Sequence, residues 1–220
     1  MKSKENLLDL LKPLPHFSKD IVHQLSVQLG LKNATVDTYI SRFLKHKELL
    51  QLKNGLYASA DFFSKHKSDI SYSFYLANII RTPSYVSSWT ALQYYNLTTE
   101  AIHGMISVTP KITRTYKTKA GIFVYQSMQK ELFSNFVLIK GAPASPVRSS
   151  NGQAGGFNFF IATPSKALFD LLYFRTRQFR GFRLEEMKAL VEDLRIDMGE
   201  MDTEEQVKFY AMMKDHFHHE

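Results

Sequence analysis

The sequence predicts an α+β fold, and three features of its patterning predict it. Apolar residues recur at helical spacing through about the first 45 positions, then give way to two short apolar runs around an Asn-Gly pair. Between about residues 85 and 162 short β-type runs are punctuated by Gly and Pro, and from Pro164 onward the helical period returns. With 220 residues, 44% of them hydrophobic, the chain can bury one large core or two small ones. The pattern divides it into residues 1–60 and residues 61–220.

Ser3 is placed to cap a short helix through Leu11, which Pro13 and Pro15 stop. Ser18 opens a second helix, with Ile21, Val22, Leu25 and Leu29 on one stripe until Gly30. Asn33 or Thr35 opens a third, in which Val36, Ile40, Phe43 and Leu44 face inward on a wheel turning at about 100° per residue. Its opposite face reads Thr35, Thr38, Ser41, Arg42 and Lys45. Short hydroxyls and long cations suit a helix lying in a DNA groove, where they meet phosphates and an Arg can contact guanine bidentately. Glu48 to Leu52 and Leu56 to Ala58 then flank Asn54-Gly55, a hairpin signal in which both turn residues take positive φ. Helix, turn, helix and hairpin in this order make a winged helix-turn-helix, with Lys53 and Asn54 at the wing tip and Lys32 and Asn33 opening the reading helix. The competing reading is a three-helix unit with a solvated polar face.

Residues 70–80 read as a helix, Tyr85-Val86 as a strand, and Ser87 or Ser88 as the cap of a helix through Tyr95. Met105–Thr109, Ile112–Lys117, Gly121–Gln126, Phe136–Lys140 and Phe157–Ala162 read as strands of a mainly antiparallel sheet. Thr163 caps and Pro164 opens a helix over Lys166–Phe174, with Ala167, Leu168, Leu171 and Leu172 inward and Lys166 and Asp170 as an ordinary i,i+4 ion pair. Two further helices are expected around Leu184–Leu194 and Thr203–Phe217, completing an α/β domain with C-terminal helices. Gly141 to Gly156 reads as a long surface loop, and its glycines match no phosphate-binding pattern.

The balance of 28 Lys+Arg against 21 Asp+Glu leaves +7 and a pI near 9.4, which makes nucleic acid the first expected partner. Residues 1–60 carry +4, residues 61–180 carry +9, and residues 181–220 carry −6. The acidic end reads as a solvated helical face, with a contact for a basic surface or a brake on non-specific nucleic-acid binding as the alternatives. Two cationic groups, Lys111, Arg114, Lys117 and Lys119 and then Arg175, Arg177, Arg180 and Arg183, interleave with Tyr116, Phe174 and Phe179. They are candidates for additional nucleic-acid contacts, against a scattered solvated surface.

Enzyme chemistry finds little to stand on. The chain has no cysteine, its histidines form no HExxH-type motif, and the acids between 61 and 180 are Asp61, Asp69, Glu100, Glu131 and Asp170. A metal-dependent nuclease needs a carboxylate cluster, so this class stays an alternative and the expectation is no catalysis, no metal and no cofactor. The apolar run Leu7 to Leu11 is too short for a signal-peptide core, and no stretch of about 20 apolar residues occurs. A soluble cytoplasmic protein without a membrane partner is expected.

The order Gly55-Leu-Tyr57, then Pro83-Ser-Tyr-Val-Ser-Ser-Trp-Thr-Ala-Leu-Gln-Tyr-Tyr-Asn-Leu97, then Ile161-Ala-Thr-Pro-Ser-Lys-Ala-Leu-Phe-Asp-Leu-Leu172 resembles the AbiEi-like antitoxins of abortive-infection systems, over about residues 15–175. The resemblance implies a DNA-binding repressor of its own type IV toxin–antitoxin operon. It also implies that the chain counteracts a nucleotidyltransferase-like toxin without a stable complex. The 141–156 loop and the acidic end depart from that pattern, and a stand-alone regulator without a toxin remains the alternative.

Overall fold

The computed structural model describes residues 2–100, 104–141, 156–176, 180, 183 and 186–218. Helix α1 (Lys2–Leu11) begins before Ser3, which therefore lies inside it. A two-residue strand β1 (Phe17–Ser18), too short to leave a sequence pattern, precedes α2 (Lys19–Val27), and the Ser18 hydroxyl accepts from the Ile21 N–H at 3.3 Å. Gly30, at φ 65, turns the chain into α3 (Asn33–Lys45), with Lys32 as its N-cap residue. Strands β2 (Leu49–Lys53) and β3 (Leu56–Ser59) complete an antiparallel sheet in the order β1-β3-β2. The three helices close over Leu7, Leu11, Val22, Val36, Ile40 and Phe43, a core of its own in which each such side chain is worth about 1.5–3 kcal/mol.

The β2–β3 hairpin closes through the two-residue Asn54-Gly55 turn, with Lys53 paired to Leu56, but not with positive φ at both turn residues. Gly55 takes φ 72 but Asn54 stays out of the left-handed region, and the register shifts between Gln51 and Lys53 so that Leu52 bulges from the ladder. Burial is the reason. Leu52, Leu56 and Ala58 pack into the larger C-terminal core while Leu49 and Tyr57 pack into the N-terminal one, so the hairpin is apolar toward both.

Ser59 caps α4 (Ala60–His66), a helix that the polar sequence there conceals, and α5 (Ile70–Ile80) follows. Strands β4 (Tyr85–Val86), β5 (Met105–Thr109), β6 (Arg114–Thr118), β7 (Gly121–Ser127), β8 (Phe136–Ile139) and β9 (Phe159–Ala162) form a six-stranded sheet in the order β6-β7-β5-β4-β9-β8. This sheet is mixed, not mainly antiparallel: β5–β7 and β4–β9 are parallel, while β4–β5, β6–β7 and β8–β9 are antiparallel. Strand length and punctuation carry no direction. The short connection from Thr109 to Arg114 turns β6 back against the direction of β5, so β7, antiparallel to β6, runs parallel to β5.

Helices cover both faces. Tyr85 and Gln126 both lie in register with Val108 and so share a face; the Tyr85 hydroxyl reaches Asp170, whereas Tyr125, on the other face, donates to the Ala77 carbonyl of α5. Helix α7 (Pro164–Arg175) is capped by Thr163, whose hydroxyl accepts from the Lys166 N–H at 3.4 Å, and is buried continuously from Ser165 to Tyr173. The expected four-residue stripe is too narrow because α6 (Ser88–Tyr94) and α9 (Thr203–His218) both pack against it. Helix α8 (Met187–Asp193) precedes α9. The acidic end is therefore not simply a solvated face: Met201, Phe209 and Met213 belong to the core, and Glu205, 8% exposed, accepts from the Ser165 N–H at 3.0 Å and the Ser165 hydroxyl at 2.6 Å. An acid from α9 thus satisfies the N-terminus of α7. Residues 142–155 of the expected loop lie outside the described residues. Among the described residues no helix is long and apolar enough to cross a membrane.

Candidate nucleic-acid interface

Helix α3 turns Val36, Ile40 and Phe43 into the N-terminal core, and the period of the helix places Lys32, Asn33, Thr38, Ser41, Arg42 and Lys45 outside it, all exposed. Thr35 is half-buried. The hydroxyls of Thr38 and Ser41 donate to the carbonyls of Ala34 and Asp37, each at 3.0 Å, so in this state they present acceptor lone pairs outward. Among the described residues no acid pairs with Arg42, Lys45 or Lys32, which leaves three cations around one helix available to phosphate.

A polar bridge that the sequence reading misses ties α2 to α3. The His23 ring of α2 lies 3.0 Å from Asn33 Oδ1 through Nδ1 and 2.9 Å from Asp37 Oδ1 through Nε2, and the Lys19 ammonium donates to Asp37 Oδ2 at 2.9 Å. The Lys19 hydrogen bond is the main reason that the Asp37 carboxyl sits below its ordinary range. Asn33 is thereby committed to His23 before it meets any ligand. The signal was the 10- and 14-residue separations of His23 from Asn33 and Asp37, invisible without knowing how the helices cross.

The hairpin tip behaves differently from α3. Lys53 is half-buried and its ammonium donates to the Ile80 carbonyl at 2.6 Å, tying the hairpin to the end of α5, while Asn54 is exposed in the turn. Strand β2 lies against β6, so the first cationic group is adjacent to the hairpin. On β6, Arg114 stands over the Tyr116 ring at 5.8 Å, and Arg81, which the sequence reading omits, donates to the Tyr116 hydroxyl at 3.4 Å and to the Ile112 carbonyl at 2.6 Å. Burial raises the Tyr116 phenol, but the Arg114 and Arg81 guanidiniums outweigh it and hold it below its ordinary value. Lys117 and Lys119 are exposed on β6 and in the turn after it, and Lys111 reaches back to the Thr82 carbonyl at 2.6 Å.

Two members of the second cationic group line different cavities. Arg175, at the end of α7, lines a cavity of about 720 Å³ with Trp89, whereas Arg180 lines a separate cavity of about 570 Å³ floored by Lys166 and Phe169. Arg177 lies outside the described residues, and Arg183 is exposed. Among the described residues no set of three His, Asp or Glu side chains is arranged to hold a metal ion. No family model matches the chain, and no curated protein matches it.

Proposed function

We propose that residues 1–60 are a winged helix-turn-helix that reads duplex DNA through α3, in a protein that represses its own operon. The observation that carries this reading is the outer face of α3, where Lys32, Arg42 and Lys45 are exposed and unpaired among the described residues beside Thr38 and Ser41. Such a face supplies phosphate contacts from the lysines and one candidate for bidentate guanine recognition, Arg42. With Lys53 committed to Ile80, the hairpin is a wing docked on the second domain, and Asn54 is its available tip. Lys117 and Lys119, on the strand beside that wing, extend the electrostatic footprint. The resemblance of the 83–97 and 161–172 segments to AbiEi-like antitoxins supports the fuller reading: a type IV abortive-infection antitoxin that counteracts a nucleotidyltransferase-like toxin without binding it stably.

The test is binding of the full chain to the promoter upstream of its own gene. Arg42→Ala is expected to cost about 1–3 kcal/mol and relax sequence preference, and Lys45→Ala to lower the salt slope by about 1. Unchanged affinity and slope in both variants would remove α3 as the reader. Co-expression with the neighbouring gene tests the antitoxin part: relief of its toxicity is expected, and no relief would leave a repressor alone.

A further inference from the structure

We propose that the cavity between α6, the β5–β7 face of the large sheet and the α8 turn is a binding site for a nucleotide. It holds about 720 Å³, within the range of small-ligand sites, and lies on the face of the sheet opposite α5. Trp89 from α6, Gln126 from β7, Arg175 from α7, Asp193 and Arg195 around the end of α8, and Glu100 line it. Five separate segments therefore converge on one space.

Two features distinguish it from a chance groove. The two guanidiniums and two carboxylates share one lining, yet among the described residues none pairs with another. All four are exposed at the rim, so a ligand carrying an anionic group and hydroxyl donors can reach both signs. The Gln126 Oε1 is shut away from water without a hydrogen-bond partner, and the broad terminal torsion of a glutamine lets either amide atom turn to a planar edge. Arg195 takes φ 53 as the residue that ends α8, its N–H donating to the Glu192 carbonyl at 3.0 Å and that of Ile196 to the Val191 carbonyl at 3.3 Å, and this helix end sets it on the rim.

A nucleotide uses all of these together. Its base stacks on the Trp89 indole, its edge meets the Gln126 carboxamide, its phosphate takes Arg175 and Arg195, and its sugar hydroxyls donate to Asp193 or Glu100. The shared chemistry is a base with a 5′-phosphate, whether free in solution or within a single strand. The site does not depend on α3 reading DNA.

Trp89 is the single tryptophan of the chain, so its fluorescence reports on this cavity alone. The full chain is titrated with each of the four 5′-ribonucleoside monophosphates, with the matching nucleosides, and with short single-stranded DNA and RNA. Saturable quenching is expected, weakened roughly tenfold for the nucleoside and by a similar factor in Arg175→Gln and in Arg195→Gln, the loss of one charged hydrogen-bonding partner. Saturation by a monophosphate assigns a free nucleotide, and saturation by single strands alone assigns a nucleotide within a strand. No saturable quenching by any of these, or quenching that both Arg variants leave unchanged while circular dichroism shows them folded, overturns the proposal. Arg42→Ala is expected to keep the quenching, so failure of the DNA reading and failure of this site are distinguishable.

Discussion

The Lys166 ammonium lies 2.9 Å from Asp170 Oδ1 with the two side chains 1% and 0% exposed, a buried ion pair within α7. Ser87 and Tyr85 donate to the other carboxylate oxygen at 2.6 and 3.1 Å, and Lys166 also donates to the Leu132 carbonyl at 2.7 Å and faces the Phe169 ring at 4.8 Å. Burial pushes the Asp170 carboxyl up, against the pull of Lys166, Ser87 and Tyr85. Removing one partner strands the other charge in apolar surroundings. Lys166→Met is therefore expected to lose about 3–5 kcal/mol in urea unfolding, and Lys166→Met with Asp170→Leu to recover most of it. Equal stability of the single variant and wild type would show that the pair is not shut off from water.

Lys53 and Lys45 should separate by readout. The Lys53 ammonium is committed to the Ile80 carbonyl, so Lys53→Ala is expected to cost about 1–3 kcal/mol of stability and leave the salt slope of DNA binding where it was. Lys45, exposed on α3, is expected to do the reverse. A lowered salt slope in Lys53→Ala would place the ammonium on DNA in the complex.

Asp37 is expected to make the N-terminal core sensitive to acid. Its carboxyl is depressed chiefly by the hydrogen bond from Lys19, with burial opposing and His23 assisting. A depressed acid contributes fully above the ordinary carboxyl value of 3.8, and that contribution is lost as the pH falls through the lower folded value. The stability gap between wild type and Asp37→Asn is therefore expected to narrow on acidification from about pH 5 downward. A gap independent of pH would mean that the bridge is mechanical only.

The acidic end should divide into core and surface. Truncation before α9 removes Phe209, Met213 and the Glu205 cap of α7 and is expected to abolish cooperative unfolding. Burial raises the Glu205 carboxyl, but the Ser165 hydroxyl and N–H, with Lys208, outweigh it and keep it below its ordinary range, so Glu205→Ala leaves those donors unmet. The exposed Glu192 and Glu200 carry the electrostatic part: Glu192→Gln with Glu200→Gln is expected to tighten non-specific duplex binding at low salt with unfolding unchanged. Binding that stays the same would remove the brake.

What the sequence by itself determined is local. Ser18, Thr163 and Pro164 mark helix starts because their groups answer needs within one turn of chain, and the inward stripe of α3 follows from its period alone. The exposed cations Arg42 and Lys45 were legible for the same reason, as the back of that stripe. Tertiary structure decided what depends on long separations. Strand direction in the large sheet, the bulge at Leu52, the His23–Asp37 bridge and the Lys53–Ile80 tie each join residues that no local period relates. So do the two cavities that divide Arg175 from Arg180, a pair the charge pattern had placed together. Lys166 and Asp170 show the limit most plainly: their i,i+4 spacing predicts an ion pair on any helix, but only the packing of α6 and α9 around α7 takes it out of water and makes it costly to break.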